Sequence, residues 1–316
     1  MSTPSLNRIG AAIIAIGSVI TINSPAAAIT LKVTMTNLAP TQGQGIAPVW
    51  FGFHDGSFDL FDEGASASFA IEVMAEDGIV GNAQGRIPPD FVADFIAEGA
   101  DPIALTNANQ NSIASNFATS PASLGGGYQD LLFFDRRVDP YFGVQLSGET
   151  TSRVVTLDGD SSGLRYFSYA GMIFPTNDGF IANDDSKAIE VFDGDGNFLG
   201  ADFIVLGSEV WDAGTEVNDE DPVNVPYDLA NLFSSTPEGG VVQRHPGLLP
   251  AGSGGIVDFE FNGAQFVNAD FSAPDYQIAR ITIEQVTVPA PSSTLGLLAL
   301  GILGAGSSVL RKLLCI

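Results

Sequence analysis

Apolar and polar residues alternate with period two near the start of the chain: Leu31, Val33 and Met35 take one side, Lys32, Thr34 and Thr36 the other. That alternation predicts a β-strand with one buried face. Phe51 and Phe53 continue the theme in a second strand, and further strands are expected over 152–157, 165–174, 187–193, 197–206, 257–261 and 276–288. Most of these runs lie between Gly, Asp or Pro turns, as antiparallel sheets require. Two short stretches break the pattern and read as helices, 68–77 and 89–98. The second carries Phe91, Val92, Phe95 and Ile96 on one face, with Pro89 at a first helical position and Gly99 as a stop. Residues 104–127, rich in Asn, Ser, Ala and Gly, read as a mobile surface loop. No fixed-period repeat or heptad occurs. The expected fold is all-β, an antiparallel β-sandwich with short helices in its connections.

The two ends follow other rules. Arg8, the apolar stretch Ile9 to Ile22 and the small residues Ser24-Pro-Ala-Ala-Ala28 form the tripartite layout of a secretory signal, so residues 1–28 are expected to be removed. At the other end VPAPSS (Val288 to Ser293), the apolar run Thr294 to Leu310 and the pair Arg311-Lys312 resemble a PEP-CTERM sorting tail over 289–316. The resemblance implies removal by an exosortase-type enzyme and delivery to the cell surface or extracellular polymer. Ala290 stands where that pattern usually has a glutamate. Left uncut, the same run reads as a membrane anchor with its basic pair on the cytoplasmic side. Both readings export the body, residues 29–288, as one domain, and leave membrane contact to the tail alone.

Charge narrows the partners. All 37 acidic residues lie between the two end segments against nine basic ones, a net charge of −28 for the body. Such a field repels nucleic acid and attracts divalent cations diffusely. The single cysteine, Cys315, sits in the tail, so no disulfide is expected in the exported domain. About 260 residues suffice for a core without one.

Three carboxylates carry the most specific chemistry: Asp178 in PTND, and Asp212 and Glu216 in WDAGTE. Each sits where a strand is expected to end, with no Lys or Arg nearby in sequence. At roughly 4 Å and an effective dielectric near 20, each like-charge pair repels by about 4 kcal/mol. Either the acids face water separately or a hard dication offsets the repulsion. Calcium takes six to eight oxygens, and Gly179 and Gly214 are expected to let backbone carbonyls turn inward to help supply them.

RYFSYAGMIFPTNDGFIAN (Arg165 to Asn183), VWDAGTEVNDE (Val210 to Glu220) and YQIARITIEQV (Tyr276 to Val286) together resemble the spondin N-terminal domain. PVWFGFHDGSFDLFDEGASASFAIEVMAEDG (Pro48 to Gly78) is similar to that family's first strand, His-containing loop and short helix, which extends the likeness over most of 30–287. The family implies a β-sandwich related to C2 domains, found in secreted matrix and adhesion proteins. It also implies one calcium ion held by Asp178, Asp212 and Glu216, with Glu216 where an aspartate is usual.

Other candidates read as structural. FDGDGNF (Phe192 to Phe198) opens like an EF-hand loop at Asp193, Asp195 and Asn197, but its sixth position is Phe198 and its twelfth Ile204, so it reads as a hairpin turn. His54, in an acidic loop, is expected to bond loop backbone, and His245 to sit in a turn. NDED (Asn218 to Asp221) reads as a solvated acidic loop, or else an extension of the calcium shell. No nucleophile elbow, P-loop, dinucleotide fingerprint or zinc-protease motif occurs. The expected function is a non-enzymatic, calcium-binding adhesion module with an extracellular polymer, surface glycan or protein as partner. The alternatives are a calcium-dependent lectin and a carbohydrate-active enzyme using paired acids such as Asp178 and Asp212.

Overall fold

The computed structural model describes residues 28–137, 141–157 and 161–287. The signal and sorting segments lie outside these apart from Ala28. Among the described residues no helix is long and apolar enough to cross a membrane.

The strands in chain order are β1 (Ile29–Asn37), β2 (Gly45–Ile46), β3 (Val49–His54), β4 (Tyr128–Leu132), β5 (Thr150–Leu157), β6 (Tyr166–Phe174), β7 (Gly179–Ala182), β8 (Ala201–Leu206), β9 (Trp211–Asp212), β10 (Gln243–Arg244), β11 (Glu260–Phe261), β12 (Ala264–Gln265) and β13 (Gln277–Gln285). A four-stranded sheet runs β5-β1-β13-β8 and a seven-stranded one β10-β9-β7-β6-β3-β4, with β2 beside β6. All pairings are antiparallel. The sandwich expectation is met.

The inner faces meet over Leu31, Val33, Met35, Ile281 and Ile283 from the smaller sheet and Phe51, Phe53, Phe167 and Ile173 from the larger. The rings of Phe53 and Phe167 meet edge to face at 5.3 Å. Burying each such side chain is worth roughly 1.5–3 kcal/mol, so this seam is the fold's main stabiliser. The alternating strand β1 buries one face, as its pattern predicts. β3 is buried along its whole length instead, because its other face lies under helices.

Those helices form a third layer: α1 (Phe69–Asp77), α2 (Pro89–Ala97), α3 (Pro102–Gln110), α4 (Ile113–Thr119) and α5 (Pro121–Leu124). Trp50, Leu131, Ala170 and Trp211 on the outer face of the larger sheet pack with Ile71 and Met74 of α1 and Phe117 of α4. Helices α1 and α2 match the sequence reading closely. Ser68 caps α1 and Gly78 ends it in the left-handed conformation at φ 69°.

Residues 104–127 are a correction: they form α3 to α5 rather than a mobile loop. Asp101, Ser112 and Ser120 each accept backbone N–H groups at a helix start, and prolines occupy the first turns of α3 and α5. Polar composition hid these caps, while Leu105 and Ala108 in α3, Ile113 and Phe117 in α4 and Ala122 in α5 give each piece a buried side. Residues 187–193 also differ. They run beside the start of β6 through Phe167 N to Ile189 O and Val191 N to Arg165 O, both 2.8 Å, without extending into a ladder. Residues 256–258 are a helical turn, and only Glu260–Phe261 within 257–261 is strand.

Candidate metal centre

Strands β7 and β9 pair with Gly179 opposite Asp212, so Asp178, the residue just before β7, arrives beside Asp212 at the end of β9. Asp178 enters from the turn after β6, past a cis Phe174–Pro175 bond. Its Oδ2 accepts from Thr215 N at 2.9 Å, Thr215 Oγ1 at 3.3 Å and Glu216 N at 3.2 Å, which stitches the two acidic loops together. Asp212 Oδ1 accepts from Gly214 N at 2.7 Å and its Oδ2 from Asn218 Nδ2 at 2.8 Å. Glu216 Oε1 accepts from Thr236 N at 3.2 Å. The topology thus gathers all three expected residues at one end of the larger sheet.

All three are shut from solvent, at 0 %, 1 % and 0 % exposure for Asp178, Asp212 and Glu216. Among the described residues none of them is ion-paired with Lys or Arg. Burial, then the nearby Asp212 charge, pushes Asp178 up to about 7. Burial, then Glu76, pushes Glu216 up to about 9. Glu76, at the end of α1, is itself buried and raised to about 7, chiefly by desolvation. It is a fourth carboxylate that sequence reasoning missed, because only the packing of α1 on the sheet brings it here. Its position in a helix far earlier in the chain, with α2 to α5 and β4 to β6 between it and β7, left no local signal.

Two buried oxygens, Asp178 Oδ1 and Glu216 Oε2, have no hydrogen-bond partner. Buried carboxylate oxygens are ordinarily paired, so these call for a proton or a cation. Hard oxygen donors with negative charge fit calcium rather than a soft metal. Among the described residues, however, no three His, Cys, Asp or Glu side chains are already gathered to hold a metal ion. An ion at this end of the sheet would require the side chains to draw together.

The carbonyls of the two glycines are already engaged in the fold. Gly179 O accepts from Thr176 Oγ1 at 3.3 Å, and Gly214 O from Gly240 N at 2.7 Å. Gly214 is needed for another reason: at φ 66° its Cβ would lie 2.5 Å from Val241 N and O. NDED is not simply a solvated loop either. Asn218 holds Asp212, and the buried Glu220 accepts from Leu249 N at 2.5 Å and Ile256 N at 2.8 Å, tying two distant loops together.

The other candidates take structural places. His54 Nδ1 accepts from Gly56 N at 3.0 Å, so Nε2 carries the proton toward Ser168 Oγ at 2.9 Å, and burial holds the imidazole down to about 4. His245 Nδ1 accepts from Gly247 N at 3.0 Å in its turn, and burial likewise keeps it neutral, at about 4. Asp193 Oδ1 accepts from Asp195 N and Asn197 N at 2.9 and 2.8 Å, closing the hairpin turn of 192–198.

No protein-family model matches the chain, and no curated protein matches it.

Proposed function

We propose that the chain is an exported spondin-type β-sandwich module in which one calcium ion, held by Asp178, Asp212 and Glu216, fixes the acidic loops and shapes a cell-surface or matrix adhesion surface. The observation that carries this reading is the pair of partnerless buried oxygens, Asp178 Oδ1 and Glu216 Oε2, in a group of acids that no Lys or Arg pairs with among the described residues. A bound dication would supply the missing positive charge. Complete burial of the three acids favours a structural ion over carboxylate catalysis, since a glycosidic oxygen has to reach the acid that protonates it. It also disfavours a lectin, which needs an open coordination position on the ion.

Thermal unfolding with calcium and with chelator tests the reading. Ligand at a hundredfold excess over its Kd adds about 2.7 kcal/mol, so the midpoint rises by several degrees in millimolar calcium. Asp212→Ala should match the chelated protein under both conditions. An unchanged wild-type midpoint would sink the site.

A further inference from the structure

The space between the helical layer and the larger sheet holds a different kind of site. Helices α1, α2 and α3 leave a cavity of about 560 Å³ against the outer face of β6, within the size range that takes small organic ligands. Phe91, Phe95, Phe142, Leu105, Leu232 and Met172 give it apolar walls. Phe142 meets Phe91 at 4.8 Å and Phe95 at 5.4 Å, so the aromatic wall is braced rather than loose. Ile96 also lines the space and is 37 % exposed, so the cavity reaches the surface along α2.

Asp77, the last residue of α1, is the single charged side chain among the described lining residues. Its Oδ1 accepts from Phe233 N at 2.8 Å, which fixes the carboxyl group, and its second oxygen takes no bond from the described residues. A lone, fixed carboxylate in an apolar wall suits a ligand with a hydrocarbon body and one cationic donor, because the charge-assisted bond forms where water is scarce. A fatty acid would bring a second negative charge beside it. The chain's net charge of −25 adds a field that draws cations and repels anions.

We propose that this cavity binds an apolar amine, its hydrocarbon or aromatic body lying between the phenylalanines and Leu105 and its ammonium group on Asp77. The proposal is independent of the calcium reading. Its test is isothermal titration of the full chain, in chelator, with dodecylamine, dodecanol and dodecanoate below their aggregation concentrations. The amine should bind about tenfold tighter than the alcohol, and the carboxylate weakest. Asp77→Asn should erase the amine's advantage while keeping alcohol binding. Leu105→Trp, which fills the space, should remove both. Absence of amine binding overturns the proposal, as does dodecanoate binding as tightly as the amine. Amine affinity unchanged in Leu105→Trp also overturns it, since that would mean adsorption to the acidic surface.

Discussion

Asp130 and Asp178 are both fully buried on the larger sheet, yet only one has a resident cation. Asp130, in β4, accepts from Arg86 Nε and Nη2 at 2.6 Å each, from Tyr128 Oη at 3.0 Å and from Leu131 N at 2.8 Å. Both of its oxygens are satisfied and its charge is matched. Asp178 spends one oxygen on the opposite loop, leaves the other bare, and faces Asp212 and Glu76. The same residue type at the same burial is therefore complete in one place and incomplete in the other. What differs is whether the fold supplies the counter-charge or leaves it to a proton or an ion.

The largest effect should come from making Asp130 resemble Asp178. Arg86→Ala strands a buried carboxylate and should cost about 3 kcal/mol in denaturant unfolding, the lower end for breaking a buried pair because Arg86 itself is a third exposed. Asp178→Asn should do the reverse in chelator, raising stability by about 1–2 kcal/mol because it removes a charge with no cationic partner. In calcium the same variant should lose the ion's contribution. If Asp178→Asn destabilises equally in chelator and in calcium, the two aspartates do not differ as argued.

Acidity should separate the two regions next. Asp178 and Glu76 are raised to about 7 and Glu216 to about 9, so the folded state without an ion binds more protons than the unfolded chain. Stability from these groups is fully present below the unfolded values near pH 4 and is lost as pH rises through about 7 to 9. Each proton shed is worth roughly 1.4 kcal/mol per pH unit. His54 acts in the opposite direction: held down to about 4, it stabilises above pH 6.5 and its contribution is lost as pH falls from there to 4. In chelator the midpoint should therefore peak on the acid side of neutrality. Calcium should remove most of the alkaline decline and leave the share of Asp77, which burial also raises to about 7 but which is not among the three ligands. A decline as steep in saturating calcium as in chelator would break the assignment.

The sandwich was legible because β1 alternates and its neighbours sit between turn residues, which is information carried within each strand. The approach of Asp178 to Asp212 was legible for a related reason, since Asp178 immediately precedes β7 and Asp212 ends β9, and the β7–β9 register puts Gly179 opposite Asp212. Glu76 was not, because its approach depends on how α1 packs across the sheet. Helices α3 to α5 were missed where composition outweighed capping: Asp101, Ser112 and Ser120 mark their starts, but the Asn- and Ser-rich interior between them imitates a loop. In β3 only Phe51 and Phe53 carried the alternation and the burial of its second face was not legible, since a strand covered on both faces has no polar side to show.

The smallest effect expected belongs to the decoy. Asp193 has the acidic neighbours of a calcium loop, yet its carboxylate is already filled: Oδ1 by Asp195 N and Asn197 N, Oδ2 by Asn197 Nδ2 at 2.8 Å. These donors hold its proton affinity below the ordinary aspartate value, with the Asn197 side chain first. A carboxylate whose needs are met by its own turn has nothing to gain from an ion. Asp193→Ala should therefore lower the unfolding midpoint only slightly, through loss of the turn, and leave the difference between calcium and chelator as large as in the unaltered chain. A calcium response that disappears in this variant would move the ion from the β7–β9 end to the hairpin.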